Sequence, residues 1–255
     1  MIETKRHLRV LEIALNNPEN RNALDITLCN ELLDAFDRAE GDRSVGAILL
    51  TANGPDFCAG MDLTEQLETD KVQLGGIHQR LFSTVQSIHK PIVAAVHGSA
   101  FEGGMGLVAN AHIVVAHPDT RFGLSEVRIG YWPVFVFRAV EHAIGERRTM
   151  ELSLTGREFG AEEALAFGLV AEISANPLQR AGGIAARISA YSPSAIHVGL
   201  VYAHQIRGRD WEHAGEVGRK VRSRLMATED YREGVRAAIE KRKPEWPSLA
   251  GQFGK

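Results

Sequence analysis

The chain has 255 residues, of which 44% are hydrophobic and 24% charged, and its formal net charge is −3. These values predict a soluble globular protein and give no support to a nucleic-acid binder, which usually carries a basic face. Two cysteines, Cys29 and Cys58, leave no room for a disulfide framework or a four-thiol zinc site. The first residues lack the apolar core of a signal peptide, and no apolar run is long enough to span a membrane. We therefore expect a cytoplasmic protein that does not bind nucleic acid or membranes.

Strand and helix patterns alternate through about residue 175. Residues 7–17 alternate apolar and polar side chains, which predicts a half-buried strand. Apolar side chains between Ile26 and Glu40 recur at helical spacing, with Asp25 as the N-cap. Further strands are predicted at 45–51, 90–98 and 112–116. A helix is predicted at 64–89, with a weak point at the glycine pair Gly75 and Gly76, and another helix follows the glycines of 103–106. This order predicts an α/β fold with helices covering sheets.

The last third of the chain has a different pattern. From Pro177 onward the apolar spacing is helical and predicts no strand, and Pro244 ends a basic helix. We therefore divide the chain into a core at 1–195 and a C-terminal helical region at 196–255.

The segment AFEGGMGLVAN at 100–110 places a glutamate and three glycines inside an apolar run. Gly104 opens a match to the G-x-G-x-x-A dinucleotide turn, but about seven residues separate it from the preceding strand, whereas that turn follows its strand directly. A glycine pair at a helix start instead exposes unpaired N–H groups to a developing negative oxygen. Together with the glycine loop FCAGMDL at 57–63, it predicts an oxyanion hole.

Five sequence blocks carry a family resemblance. In order they are NPENRNALD (17–25), DFCAGMDL (56–63), KPIVAAVHGSAFEGGMGL (90–107), FGLSEVRIGYWP (122–133) and LTGREFGAEEALAFGLV (154–170). Their order and spacing resemble the crotonase (enoyl-CoA hydratase/isomerase) superfamily over nearly the whole chain. The resemblance implies a spiral of ββα units with a C-terminal helical trimerisation region, and a homotrimer or a dimer of trimers.

The same resemblance implies a site for acyl-CoA thioesters. Coenzyme A would be part of the substrate, so no separate cofactor and no metal are expected. The N–H groups of Met61 and Gly103 would hold the thioester oxygen as it becomes an enolate, and Glu126 would be the acid/base. Residues expected to contact the substrate are Arg21, Asp56, Phe57, Ala59, Gly60, Gly104, Trp132 and Lys241. Of these, Arg21 and Lys241, together with Arg242, are candidates for the CoA phosphates, although a solvated helix face explains the last two equally well.

The chain departs from the family pattern at the catalytic carboxylates. Family hydratases resemble one another in carrying two glutamates, but this chain keeps only Glu126 and has Gly106 at the first position. One pocket carboxylate with a raised pKa suffices to move a proton between two carbons, so an enoyl-CoA isomerase is favoured over a hydratase. The alternative for Glu126 is a surface or helix-capping carboxylate. The bulky segment YWPVFVF at 131–137 indicates a reshaped acyl pocket, or ordinary core packing.

Other interpretations stay open. A hydratase-lyase of the feruloyl-CoA type would need a phenol-binding tyrosine, for which Tyr131 and Tyr231 are candidates. A catalytically silent CoA-binding protein is also consistent with the missing glutamate. Glu102 either replaces the missing carboxylate from a shifted position or points away and pairs with a base such as Arg128; we favour the second, because a carboxylate at the hole would repel an enolate. The histidines show no metal-binding spacing.

Overall fold

A computed structural model describes residues 1–68 and 71–249 of the chain. These residues form two β-sheets covered by helices. The strands are β1 (Ile2–His7), β2 (Val10–Leu15), β3 (Ala47–Ala52), β4 (Ile92–Val96), β5 (Ser99–Phe101), β6 (Ile113–Ala116), β7 (Arg121–Gly123), β8 (Glu158–Gly160) and β9 (Glu172–Ile173). The larger sheet has the order β1-β2-β3-β4-β6-β9 and the smaller one β5-β7-β8. Pairing in the larger sheet is parallel except between β1 and β2.

Helices cover both faces of the larger sheet. They are α1 (Ile26–Gly41), α2 (Leu63–Glu68), α3 (Lys71–Ser83), α4 (Gly103–Asn110), α5 (Phe137–Ile144), α6 (Glu146–Thr155), α7 (Ala161–Phe167), α8 (Pro177–Ser189), α9 (Pro193–Gln205), α10 (Trp211–Met226) and α11 (Glu229–Ile239). Strands β3 and β4 are almost wholly buried. Their unbroken apolar runs therefore reflect burial on two faces, as is typical of parallel strands. The mixed α/β class is the predicted one.

Alternate residues of the central strands enter two separate cores. Ile48 of β3 and Ala94 of β4 belong to the larger core, which α1 also lines. Leu49 of β3 packs on the opposite face with residues of α8. Because side chains of a strand alternate between faces, one short apolar run serves both cores.

Several elements match the sequence predictions closely. Helix α1 begins where Asp25 predicts it, and the Asp25 carboxylate accepts the N–H of Leu28 at 2.6 Å. The described part of the chain after Pro177 is helical, also as predicted. Helix α9 runs across positions 195 and 196, and the division of the chain there stays a prediction. Among residues 1–68 and 71–249, none of the helices combines the length and the apolar character that a membrane span requires.

Other elements differ from the predictions. Strand β1 has mainly exposed, polar side chains at the sheet edge, so it has no apolar alternation to reveal it. The three short strands of the smaller sheet were not predicted either. The weak point predicted at Gly75 and Gly76 is absent from the described chain, since α3 runs through both glycines.

The smaller sheet brings the two glycine-containing segments together. The N–H of Cys58 donates to the carbonyl of Ser99 at 3.0 Å, and the N–H of Phe101 donates to the carbonyl of Cys58 at 3.0 Å. The loop after β3 therefore lies alongside β5, which leads directly into α4. This pairing places Met61 and Gly103 in neighbouring segments beyond the carboxyl ends of β3 and β4, where α/β proteins commonly bind ligands.

Candidate active site

The backbone N–H groups of Met61 and Gly103, which lie at this junction, have no hydrogen-bond acceptor within residues 1–68 and 71–249. Gly103 is the first residue of α4, where helix geometry leaves the N–H without an intrahelical partner. The side chain of Met61 lies against Gly103, because a Cβ on Gly103 would come within 3.3 Å of Met61 Sδ. The two predicted donors are therefore neighbours with their N–H groups unused, as an oxyanion hole requires.

A cavity of about 640 Å³ adjoins this junction. Its polar or titratable side chains are those of His78, Glu102, Glu126 and Tyr131. The rest of the lining is apolar or glycine: Met61, Leu63, Leu67, Leu74, Gly75, Ile129, Gly130, Pro133, Val134, Phe135 and Val136. A largely apolar cleft with a few convergent polar groups is typical of a small-molecule site.

Glu126 is the most deeply buried carboxylate of this cavity. It begins a short 3₁₀ helix after β7, its side chain is buried with the residue only 6% exposed, and its Oε2 has no partner among the described residues. Burial, reinforced by the charge of Glu102, raises the pKa of Glu126 to about 7. The alternative of a surface carboxylate is wrong. A carboxyl that titrates near neutral pH can both accept and donate a proton.

Glu102 also lines the cavity, and the favoured expectation that it pairs with Arg128 is wrong. Its Oε1 accepts the hydroxyl of Ser125 at 2.8 Å. Its Oε2 lies beside Gly60, where a Cβ would come within 2.8 Å of that oxygen. The serine satisfies the carboxylate, and the missing Cβ of Gly60 leaves room for it. Glu102 therefore lies at the cavity, and the other alternative, that it replaces the missing carboxylate from a shifted position, stays a prediction.

The backbone of Glu102 is strained. Its φ of 48° and ψ of −109° lie in a region that L-residues rarely adopt. Such strain is found mostly where surrounding structure and function demand it. A glycine would adopt this conformation without the same strain, so the side chain at position 102 is held in the cavity against a local conformational cost.

The position where hydratases carry their first glutamate is closed. A Cβ on Gly106 would come within 2.6 Å of Phe82 and of Val136, and Gly106 is buried. The volume that a glutamate would need is therefore occupied by apolar side chains. Both Phe82 and Val136 belong to the main core, and Val136 also lines the cavity. The reshaped acyl pocket predicted from 131–137 therefore stays a prediction beside ordinary core packing.

Arg21 and Asp56 are bound to one another. The Arg21 Nε donates to Asp56 at 2.7 Å, and the other Asp56 oxygen accepts the N–H and hydroxyl of Ser99 at 2.9 and 2.6 Å. The Ala59 N–H donates to the Arg21 carbonyl at 3.0 Å, and the Gly60 carbonyl accepts the Leu24 N–H. These contacts hold the oxyanion loop. A role in binding CoA stays a prediction for Arg21, Asp56, Ala59 and Gly60.

Three predicted substrate contacts have other surroundings. Phe57 is fully buried in the main core, so its side chain cannot reach a ligand. Gly104 packs on the loop, since a Cβ there would lie 2.6 Å from the Cys58 carbonyl oxygen. The Trp132 ring stacks on Phe137 at 6.0 Å and does not line the cavity, although both its sequence neighbours do. These residues support the site through packing.

The C-terminal region contributes no lining to the cavity, whose residues all lie between Met61 and Val136. Lys241 is exposed and lies in the turn after α11. Its contact with CoA stays a prediction. Arg242 pairs with Glu233 and Glu240, each at 2.6 Å, so its charge is already neutralised.

One histidine cluster lies outside the cavity lining. Donor atoms of Glu40, His89 and His197 all lie within 4.8 Å of one another. Glu40 accepts both the backbone N–H and the ring of His89, at 3.0 and 3.1 Å. Sequence spacing did not reveal this set, because its members come from separate elements. The hydrogen bonds give Glu40 a structural role in joining α1 to the chain just before β4.

Comparison with known proteins decides the family. The family model described as "Enoyl-CoA hydratase/isomerase" matches residues 5–249. The chain belongs to this family. The 2,3-dehydroadipyl-CoA hydratase of Escherichia coli is 32% identical over 94% of this chain and 96% of its own length. The mevalonyl-coenzyme A hydratase of Aspergillus fumigatus is 33% identical over 93% and 91%.

Solved structures of this crotonase superfamily share the fold. The enoyl-CoA hydratase of Mycobacterium smegmatis superposes with a TM-score of 0.92 at 30% identity, over 96% of this chain and 98% of that one. The predicted superfamily and α/β crotonase fold are thus confirmed, and trimerisation through the C-terminal helical region stays a prediction. The cavity lining also includes His78, which sequence reasoning did not single out. A lone histidine between Gly76 and Phe82 carries no motif that could have marked it.

Proposed function

We propose that this crotonase-family protein moves a proton between carbons of an enoyl-CoA thioester, as an enoyl-CoA isomerase does. The observation that carries the proposal is Glu126: one buried carboxyl with a pKa near 7 and an oxygen that has no partner among the described residues. It lines the same cavity as Met61, whose N–H is unused. At neutral pH it is present in both protonation states, so it can remove a proton from one carbon and return it to another.

The proposed hole and base act on the same intermediate. The N–H groups of Met61 and Gly103 would hold the thioester oxygen as negative charge develops, and each such donor typically contributes ~3 kcal/mol of transition-state stabilisation. Glu126 would take the proton that leaves, a contribution of ~10²–10⁴-fold in rate. An acyl chain bound against the mainly apolar lining would displace water from the cavity, which would strengthen both effects.

A second candidate, hydration or dehydration, is favoured by Glu102. Its carboxylate lines the same cavity as Glu126, so one group could polarise water while the other handles the carbon-bound proton. The names of the relatives, which specify hydratases, point the same way. Against it, Glu102 is already bound by Ser125 and stands beside the oxyanion loop, where its charge disfavours an enolate.

One assay separates these functions. Purified protein is incubated with a 3-enoyl-CoA and with a 2-enoyl-CoA, and the thioester products are separated and quantified. Isomerisation should exceed hydration, Glu126→Gln should lower it at least ~100-fold, and CoA-ester binding should survive. The matched control is Glu158→Gln, which changes an exposed carboxylate and should leave the rate unchanged.

The other outcomes each decide against the proposal in a different way. Hydration as fast as isomerisation, lost in Glu102→Gln as well as Glu126→Gln, would establish the two-carboxylate alternative. Binding of CoA esters without turnover of either substrate would make the protein a silent CoA binder. An unchanged rate in Glu126→Gln would remove that residue from the mechanism.

We also propose that the protein works as a homotrimer or a dimer of trimers, with CoA supplied by the substrate and no further cofactor. The family membership supports this assembly. Sedimentation equilibrium at several protein concentrations tests it, and a monomer at micromolar concentration would contradict it.

A further inference from the structure

The cavity contains a second buried polar group that the proposed chemistry does not use. His78 lies on α3, is 4% exposed, and has an Nε2 without a partner among the described residues. Its ring lies 6.0 Å from the ring of Phe135 and 6.4 Å from that of Phe82. An imidazole has therefore been placed in an aromatic and aliphatic part of the cavity wall.

Packing alone gives no reason for a histidine here. A leucine or phenylalanine would fill the same wall without burying a polar nitrogen, and buried polar groups normally have a hydrogen-bond partner. An unpaired one costs the desolvation of that group. Because His78 lines the cavity, a bound molecule is the partner within reach.

The state of the ring limits what it can bind. Burial lowers the pKa of His78 to about 4, so the imidazole is neutral at pH 7 and offers one donor and one acceptor. The other titratable groups of the cavity lining are Glu102, Glu126 and Tyr131. With two glutamates in the same cavity, a further carboxylate would meet like charge, whereas a hydroxyl or a carbonyl would not.

We propose that His78 forms a subsite for a neutral hydrogen-bonding group, a hydroxyl or a carbonyl, on the acyl part of the thioester. This inference rests on the proposed function, since it assumes that the cavity holds the acyl chain. It makes the protein selective for oxygen-substituted acyl groups over plain hydrocarbon chains. Selectivity of this kind is strong, because an unsubstituted chain leaves the imidazole unpaired.

Equilibrium binding tests the subsite without requiring turnover. Saturated straight-chain acyl-CoA thioesters of four to eight carbons are titrated calorimetrically, each beside its terminal hydroxy and terminal carboxy counterparts. At the chain length that reaches His78, the hydroxyacyl thioester should bind about 10- to 100-fold more tightly than the unsubstituted one. The preference should disappear in His78→Phe, with affinity for the unsubstituted chain kept or improved.

Two further variants serve as a conservative replacement and as a surface control. His78→Asn retains a donor and an acceptor and should keep part of the preference, and it replaces His78→Phe if that variant loses its folded circular dichroism signal. His213→Phe removes an exposed histidine of α10 and should bind as the unaltered protein does.

Three results would overturn the inference, and they are distinguishable. Equal affinity for hydroxy and plain chains at every length would remove the subsite and leave the proposed function intact. Tightest binding of the carboxy series would show that the subsite takes an anion. No binding of any thioester would overturn the proposed function and, with it, the subsite.

Discussion

Replacing Glu126 by glutamine should make the free energy of unfolding less sensitive to rising pH. The pKa of Glu126 is about 7 in the folded chain, against 4.5 for an ordinary glutamate, so the unfolded chain loses this proton first. The contribution of Glu126 to the free energy of unfolding is therefore unchanged well below pH 4.5, and it becomes increasingly unfavourable as pH rises towards 7. Since one pKa unit is worth about 1.4 kcal/mol, this carboxyl costs about 2.5 kcal/mol of stability between pH 5 and pH 8. Glutamine keeps the shape and cannot ionise.

Urea unfolding measures this effect directly. The free energy of unfolding is determined at pH 5 and pH 8, at one protein concentration, for the unaltered protein, Glu126→Gln and the surface control Glu158→Gln. The unaltered protein and the control should lose about 2.5 kcal/mol more than Glu126→Gln between the two pH values. An equal loss in all three proteins would refute the argument that burial holds the pKa of Glu126 high.

Three further predictions concern the same cavity. The kcat/KM for isomerisation should rise with pH to a plateau, with an apparent pKa near 7 set by Glu126, and a profile flat from pH 5 to 8 would contradict this. Gly103→Ala places a Cβ 2.8 Å from Leu24 and should lower turnover about 100-fold by displacing the oxyanion donors, as steady-state kinetics would show. Gly106→Glu should lower the free energy of unfolding by about 1–3 kcal/mol and leave hydration no faster, because Phe82 fills that space.

The parts of the fold that could be predicted are those with a local pattern. Helix α1 has an apolar periodicity and a capping aspartate, and β3 and β4 are unbroken apolar runs. Strand β1 lacked any such pattern, because an exposed edge strand carries polar side chains on both faces. The short strands of the smaller sheet are fixed by pairing with distant segments, which no local window contains.

The candidate site divides in the same way. Met61, Gly103 and Glu126 stand in motifs; Met61 and Glu126 line one cavity, and Gly103 lies against the side chain of Met61. The direction of the Glu102 side chain could not be predicted, because it depends on an unusual φ angle and on Ser125, 23 residues away in the sequence. The surroundings of Trp132 could not be predicted either: its sequence neighbours line the cavity, but its own ring stacks on Phe137.

The packing around Gly106 limits how this sequence can change. A glutamate introduced at position 106 by one substitution would clash with the side chains of Phe82 and Val136. The aromatic and branched residues would have to be trimmed first, and trimming either while position 106 is still glycine would leave a void that weakens the core. The substitutions are thus epistatic, and every order of introducing them passes through a less stable protein. The carboxylate of Glu102 already lines the cavity, so a second carboxylate at position 102 requires none of these substitutions.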